Sequence, residues 1–451
     1  MALVNVHQQR VSVIGMARSG VAVALLLKKK GADVFVSDNG PADRLREEQA
    51  VLAGAGVAFE TGGHSGRVYQ CSLVVLSPGV PGNAPVVVEA IKRGIDIVSE
   101  LEVGSLFCQA PIVAITGSNG KTTTTTLIGR ILGDAKKKHV VAGNIGTAFS
   151  SVVLDLAPTD LAVLEVSSFQ LDYIRTFRPR ISVILNITED HMDRYEHSMD
   201  AYAASKARIF ENQVGDDVLI YDADDEWCAK KAAEAKCRTI PFSTSRKLEE
   251  GAFVENGMLV TVLNGVRTEI IRCDEISIKG MHNLYNSMAA TLIGQLLTVG
   301  GASIRSTLKN FKGVEHRLEF VREVDGVRYV NDSKATNVDS VWYALQAFKE
   351  PLVLLLGGRD KGNDYSRLTD LVRKHVKGIV AIGESADKVE RAFKPVVKVV
   401  RADSMETALR QARALSSKGD VVLLSPACAS FDWFRNYEHR GQVFKELVNN
   451  L

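Results

Sequence analysis

Short apolar runs, each ending in a glycine-rich or polar turn and followed by an amphipathic stretch, recur along the whole chain. Val11-Ser12-Val13-Ile14 runs into Gly15, a helical pattern covers Val21 to Lys30, and a second run from Asp33 to Ser37 stops at Asp38. Apolar runs bounded by turn signals predict buried strands, and the 3.6-residue period between them predicts the crossover helix of a β-α-β unit. The rhythm returns at Leu73 to Leu76, which enters Ser77-Pro78-Gly79, and again at Ile112 to Ile115, Leu161 to Glu165 and Ile181 to Asn186. Glu100 to Gln109 reads as a connection between the first and second domains.

Between Ala252 and Cys273 the period changes. Phe253-Val254, Met258 to Leu263 and Val266 to Ile271 are separated by Asn256-Gly257 and Asn264-Gly265, which predicts three antiparallel strands with tight turns, a lobe added to the central sheet. An apolar helix follows from Gly280 to Leu297. After a boundary at Phe311 to Arg317 come a hairpin around Asp325-Gly326, a helix Val338 to Phe348, and strands at Leu352 to Leu356, Gly378 to Ile382 and Val421 to Leu424. The fold class is therefore α/β in three domains, 1–101, 102–313 and 314–451: a Rossmann-like first domain, a central domain of P-loop type carrying the antiparallel lobe, and a Rossmann-like third. A chain of 451 residues is long enough for each to bury its own core.

Composition changes this picture little. Lys plus Arg (55) balances Asp plus Glu (53), which argues against a nucleic-acid partner or an anionic membrane surface. No apolar run reaches the ~18 residues of a membrane span, and Met1 to Arg10 lacks the layout of a signal peptide, so a cytoplasmic protein without membrane insertion is expected. Six cysteines without a C-x-x-C pair read as reduced and structural.

The chemistry gathers at strand ends. Gly117-Ser118-Asn119-Gly120-Lys121-Thr122-Thr123 lies between an apolar strand and a helix start, where two glycines turn the backbone, the helix N-terminus faces a phosphate, Lys121 reaches the terminal phosphates and Thr122 holds magnesium. The spacing departs from the common P-loop, because Ile115 stands at its first glycine. Glu165 ends the next strand and suits magnesium beside such a loop. The run Thr188-Glu189-Asp190-His191-Met192-Asp193 either delivers His191 to a metal, water or phosphate, or starts a helix capped by Thr188 or Asp190. Lys206, among Ala203, Ala207 and Phe210, reads by itself as a snorkelling surface lysine. Asp38 stands where a Rossmann unit holds a ribose, although Ala17 replaces the second fingerprint glycine. Loops at Gly357 to Gly362 and Ser425 to Asp432 both follow strand ends, so one crevice in the third domain uses both.

Thr116 to Thr122, Glu165-Val166-Ser167-Ser168-Phe169-Gln170, Asp190-His191-Met192-Asp193, His282-Asn283, His316-Arg317 and Asn331 to Asn337 together resemble the Mur ligases, in order over nearly the whole chain. The resemblance implies ATP-dependent amide ligation in peptidoglycan precursor synthesis, with D-glutamate joined to UDP-N-acetylmuramoyl-L-alanine through an acyl phosphate. It implies ATP contacts from Gly117, Asn119, Gly120, Lys121, Thr122, Thr123, Asn283, Arg317 and Asp332. Ser19, Asp38, Asn39, Ser77, Gly79 and Asn144 would hold the UDP substrate. Lys334, Thr336, Lys361, Ser430, Phe431 and Tyr437 would hold D-glutamate. Two magnesium ions would be addressed by Thr122, Glu165 and His191, with Lys206 converted to a carbamate, and Lys121, His191 and Lys206 would carry the catalysis in a monomer whose third domain closes on ATP. Rival readings are another Mur ligase, a folylpolyglutamate synthase, or a non-enzymatic nucleotide switch.

Overall fold

The structure, a computed structural model, describes residues 6–144, 146–360 and 362–451, with Asp193 described by its backbone alone. The chain divides into two compact units: Met1–Ile187 with Arg194–Glu275 and Tyr285–Lys309, and Thr188–Asp193 with Ile276–Leu284 and Asn310–Leu451.

The first unit contains two sheets. Strands β1 (Arg10–Ile14), β2 (Asp33–Asp38), β3 (Ala58–Thr61), β4 (Leu73–Leu76) and β5 (Asp96–Ser99) form an all-parallel sheet in the order β3-β2-β1-β4-β5. The order reverses direction beside β1, and at such a switch point the loops after β1 and β4 part and leave a crevice. The second sheet comprises β6 (Ile112–Thr116), β7 (His139–Gly143), β8 (Leu161–Glu165), β9 (Ile181–Ile184), β10 (Gly215–Asp222), β11 (Cys237–Ser243), β12 (Gly251–Glu255), β13 (Met258–Leu263) and β14 (Val266–Arg272), ordered β14-β13-β12-β11-β10-β9-β6-β8-β7. All five residues of β6 are buried, as a central parallel strand covered on both faces requires. The three antiparallel strands do not stand apart: β12 pairs parallel with β11, so they continue the same sheet.

The segment expected as a connection folds as the helix Glu100–Leu106. Ser99 caps it by accepting from the Glu102 N–H, and two glutamates in the first turn suit its positive end. Glu102 is fully buried yet satisfied, accepting from the backbone N–H groups of Arg175, Thr176 and Phe177, which fastens the first sheet's last helix to the second sheet.

In the second unit β15 (Glu319–Val324) and β16 (Val327–Asn331) form an antiparallel hairpin, and β16 continues in parallel with β17 (Leu352–Gly357), β18 (Val376–Ile382), β19 (Lys398–Arg401) and β20 (Val421–Leu424) in the order β15-β16-β20-β17-β18-β19. The two-residue alternation of β17 serves two cores: Leu352, Leu354 and Leu356 join one apolar cluster and Val353 and Leu355 the other.

Candidate active site

Gly120 adopts φ +85 at the head of the helix Lys121–Asp134, and a Cβ there would lie 2.3 Å from Asn286 Oδ1, so only glycine fits. Asn186, just past β9, brackets the loop: its Oδ1 accepts from the Asn119 N–H at 2.8 Å and its Nδ2 donates to the Asn119 carbonyl at 3.1 Å. Lys121 Nζ lies across the loop, donating to the carbonyls of Gly117 (2.7 Å) and Ser118 (2.8 Å). Thr122 Oγ1 donates to Glu165 Oε2 at 2.7 Å, and Asn144 Nδ2 donates to Glu165 Oε1 at 3.3 Å. Thr123 Oγ1 is buried in the first helical turn with no protein partner, the placement a phosphate oxygen would satisfy. An oxygen-only donor pair, Thr122 and Glu165, beside a lysine and a helix N-terminus fits magnesium with phosphate.

Lys206 is not the surface lysine its pattern suggests. It is 1% exposed on the helix Met199–Ala207, with Nζ 4.5 Å from the centre of the Tyr202 ring, and the Tyr202 hydroxyl meets Ser118 Oγ at 3.2 Å. Neighbouring helix faces bury it, which the weak amphipathicity of that helix does not announce. His191 belongs to the second unit, at φ +55, with Nε2 3.6 Å from Asp190 Oδ2, which also accepts from Asn337 Nδ2 at 3.0 Å. The α-helix start weighed for this segment does not form, and a single 3-10 turn, Met192–Arg194, takes its place.

A cavity of about 980 Å³ opens at the switch point of the first sheet. All six residues expected to hold the UDP substrate line it: Ser19, Asp38, Asn39, Ser77, Gly79 and Asn144. Asp38 is held rigidly, accepting from the Met16 N–H with Oδ2 and the Gly40 N–H with Oδ1, both at 2.6 Å. Ala17 is accommodated without a glycine because its φ is −72. Sequence reasoning missed Arg18, His64, Tyr69 and Glu89, which also line the cavity. Arg18 opens the helix Arg18–Lys29 just after β1 and is legible there, whereas His64 and Tyr69 come from a segment without periodicity.

In the second unit Asp332 follows β16 and Ser425 follows β20. Asp332 Oδ2 accepts from Ser425 Oγ at 2.7 Å and Oδ1 from the Leu318 N–H at 3.2 Å. Burial raises its carboxyl to about 6, against the downward pull of the Arg317 charge. Lys334 Nζ donates to the Tyr437 hydroxyl at 3.2 Å and lies 5.0 Å over that ring. The two strand-end loops are joined, since Arg359 and Ala429 exchange backbone hydrogen bonds at 2.9 and 3.1 Å. Ser430 is buried and Phe431 is 61% exposed, while Thr336 is half-buried. Asn283 Nδ2 donates to the Lys279 carbonyl at 2.8 Å as the helix Met281–Leu296 begins. Lys361 lies outside the described residues. Arg440, unseen from sequence, is the organiser here: it is 1% exposed and donates to Ser333 Oγ (2.9 Å), the Ser333 carbonyl (2.7 Å) and the Cys428 carbonyl (3.1 Å).

Three α/β sheets in series, the second opened by a phosphate loop, are the architecture of a Mur ligase: residues 115–294 match the Mur ligase middle domain and residues 316–428 the Mur ligase, glutamate ligase domain. Residues 10–86 match the MurD N-terminal domain. The chain is 48% identical over 458 residues to the UDP-N-acetylmuramoylalanine--D-glutamate ligase of Salinibacter ruber, covering 99% of each, and 45% identical over 447 residues to that of Pelotomaculum thermopropionicum, covering 98% of each. Among solved structures, the UDP-N-acetylmuramate-alanine ligase of Thermotoga maritima shares the fold at a TM-score of 0.63 and 19% identity, over 98% of this chain and 99% of that one. The chain belongs to the UDP-N-acetylmuramoylalanine--D-glutamate ligase family.

Proposed function

We propose that this chain joins D-glutamate to the alanine carboxylate of UDP-N-acetylmuramoyl-L-alanine, with ATP converted to ADP and phosphate. The observation that carries the reading is the side-chain sequence Asn144, Glu165, Thr122: Asn144 lines the UDP-substrate cavity, and through Glu165 it is tied to the first turn of the phosphate-loop helix. A nucleotide-linked substrate seated along that cavity would reach the phosphate loop at its Asn144 end.

A carboxylate attacking a triphosphate meets like charge, so the reaction needs fixed cations and N–H dipoles where charge develops. Lys121, the helix N-terminus and the loop residues Gly117, Asn119 and Gly120 supply these. Magnesium, held by Thr122 and Glu165 with His191 serving a second ion, would neutralise the phosphate oxygens. Lys206, withdrawn from solvent, is assigned to a carbamate, which turns a cation into an anionic ligand for metal. The acyl phosphate formed by this attack is then open to the D-glutamate amine, with phosphate leaving. Lys334 and Lys361 are assigned to the D-glutamate carboxylates, with Thr336, Ser430, Phe431 and Tyr437 around them, and Asn283, Arg317 and Asp332 to ATP. ATP and UDP-sugars are cytoplasmic metabolites, so the reaction is assigned to the cytoplasm. No helix among the described residues is long and apolar enough to cross a membrane. The chain is assigned as a monomer with domains at 1–101, 102–313 and 314–451.

The test is phosphate release from ATP and magnesium with UDP-N-acetylmuramoyl-L-alanine present and the amino acid varied. Release that requires D-glutamate and yields one amide per phosphate supports the reading. Release driven by another amino acid moves the substrate, and release indifferent to any amino acid leaves a nucleotide switch.

A further inference from the structure

Behind the cavity wall lies a three-residue relay that none of the assigned roles uses. Ser37, fully buried on β2, donates from Oγ to Glu60 Oε1 at 2.7 Å, and the same Oγ is 2.7 Å from His64 Nδ1. Glu60 Oε1 also accepts from the Ser65 N–H at 2.9 Å. Burial pushes the Glu60 carboxyl up, but hydrogen bonds from Ser65 and Ser37 bring it to a net value below the usual range, so it is ionised and only accepts.

That fixes the protons. Ser37 has one hydroxyl hydrogen, and the carboxylate takes it. The short Ser37–His64 contact then requires His64 to donate from Nδ1, because two lone pairs 2.7 Å apart would repel. Burial lowers the His64 imidazole from its ordinary value, against Glu60 and Asp38, which both raise it, so the ring is neutral near pH 7. In a neutral ring with Nδ1 protonated, Nε2 carries a lone pair. His64 lines the cavity together with Asp38, the last residue of β2, and Asn39 just past it, His64 itself following the edge strand β3, whereas Asn144 follows β7 of the second sheet.

We infer that His64 Nε2 is a hydrogen-bond acceptor that selects the nucleoside end of the substrate by its N–H or O–H donor, and that Ser37 and Glu60 position it by fixing its tautomer. The inference rests on the UDP-substrate reading of the cavity. Two donors of a uridine share this chemistry: the uracil N3–H and the ribose hydroxyls. An imidazole turned the other way would present N–H to those groups and weaken binding, so the half-buried Glu60 carboxylate acts on specificity without touching the ligand.

The test titrates the full chain calorimetrically with uridine 5′-diphosphate, its N3-methyl analogue and its 2′- and 3′-deoxy analogues, and repeats the series on His64→Asn. Asn can keep the donation to Ser37 but has no atom at Nε2. One analogue should bind wild type about tenfold more weakly than the parent, and that analogue names the donor. In His64→Asn the parent should fall by about the same factor and the analogue no further, the signature of two groups sharing one interaction. A full analogue penalty retained in the variant, or no penalty for any analogue in wild type, overturns the assignment while leaving the UDP site intact. No binding of uridine 5′-diphosphate to wild type overturns both. Nitrogen-15 NMR of the histidine rings is independent of ligand and of the variant's folding: a His64 ring protonated at Nδ1 is expected, and one protonated at Nε2 refutes the relay.

Discussion

Replacing Arg440 with methionine would test whether the two loops assigned to D-glutamate are framed from behind. The side chain is 1% exposed, and three of its donated bonds end on Ser333 and Cys428. Ser333 precedes Lys334, its Oγ donates to the Tyr437 carbonyl at 2.8 Å, and Cys428 precedes Ala429 and Ser430, so one guanidinium sets the spacing of both loops. Methionine fills similar volume but leaves the Ser333 and Cys428 carbonyls without the charged donor, at about 1–3 kcal/mol each. Against this stands the desolvation of the cation itself, which burial has lowered to about 10. A net loss of about 3 kcal/mol is expected, which for a unit of this size is a fall of roughly 10 °C in its melting temperature. The KM for D-glutamate should rise at least about fivefold, the cost of ~1 kcal/mol of lost positioning, while the affinity for uridine 5′-diphosphate stays the same. Arg440→Lys should recover part of the stability and less of the KM, because one ammonium cannot span the forked acceptors. Calorimetric melting with D-glutamate kinetics reads both. A melting temperature within about 2 °C of wild type and an unchanged KM would refute the framing argument.

Asp332→Asn should raise the stability of the second unit at neutral pH. The carboxyl is raised to about 6 in the fold, so the folded form holds a proton that the unfolded chain has released between roughly pH 4 and 6, and stability falls as pH rises through that window. The amide avoids this cost, worth up to about 3 kcal/mol at pH 7. The gain, read by melting at a series of pH values, should vanish below about pH 4 while phosphate release drops at pH 7. A gain independent of pH would contradict the burial argument. Lys206→Ala should lose most of the ligase activity and regain part of it with added acetate, and an unchanged rate would remove the carbamate from the mechanism. Glu165→Gln should raise the magnesium concentration needed for half-maximal activity by about tenfold or more, since a neutral amide replaces an anionic ligand beside Thr122. An unaltered magnesium dependence would move the metal elsewhere.

The sequence carried the strand ends better than the shapes between them, and the reason is local. Buried parallel strands read as continuous apolar runs, so β1, β6, β8 and β17 announce themselves, and the residues just past each run are polar because they face a crevice. That is why Thr122 and Glu165, 43 residues apart, were both legible and meet at 2.7 Å. Glu100 to Gln109 reads as a connection, although Glu100–Leu106 is helical, because buried Glu100 and Glu102 break its apolar period, and only tertiary partners, the Ser150 N–H and the backbone of Arg175 to Phe177, make those carboxylates tolerable. Lys206 and Arg440 were obscured in the same way. A cation in a helical pattern looks like a solvated face: the carbonyls that compensate Arg440 come from outside its helix, and Lys206, although its ring partner Tyr202 lies one turn back on the same helix, is buried by tertiary packing that the pattern does not show. The His64 relay lies furthest from a one-dimensional signal, because its meaning resides in proton positions. Ser37, Glu60 and His64 are common residues at a spacing that signals nothing, and only the two 2.7 Å contacts on one hydroxyl oxygen determine which edge of the imidazole can accept. Function in this chain is thus legible where charge must sit at a strand end, and becomes visible only in three dimensions where a buried charge is satisfied from far away in the sequence.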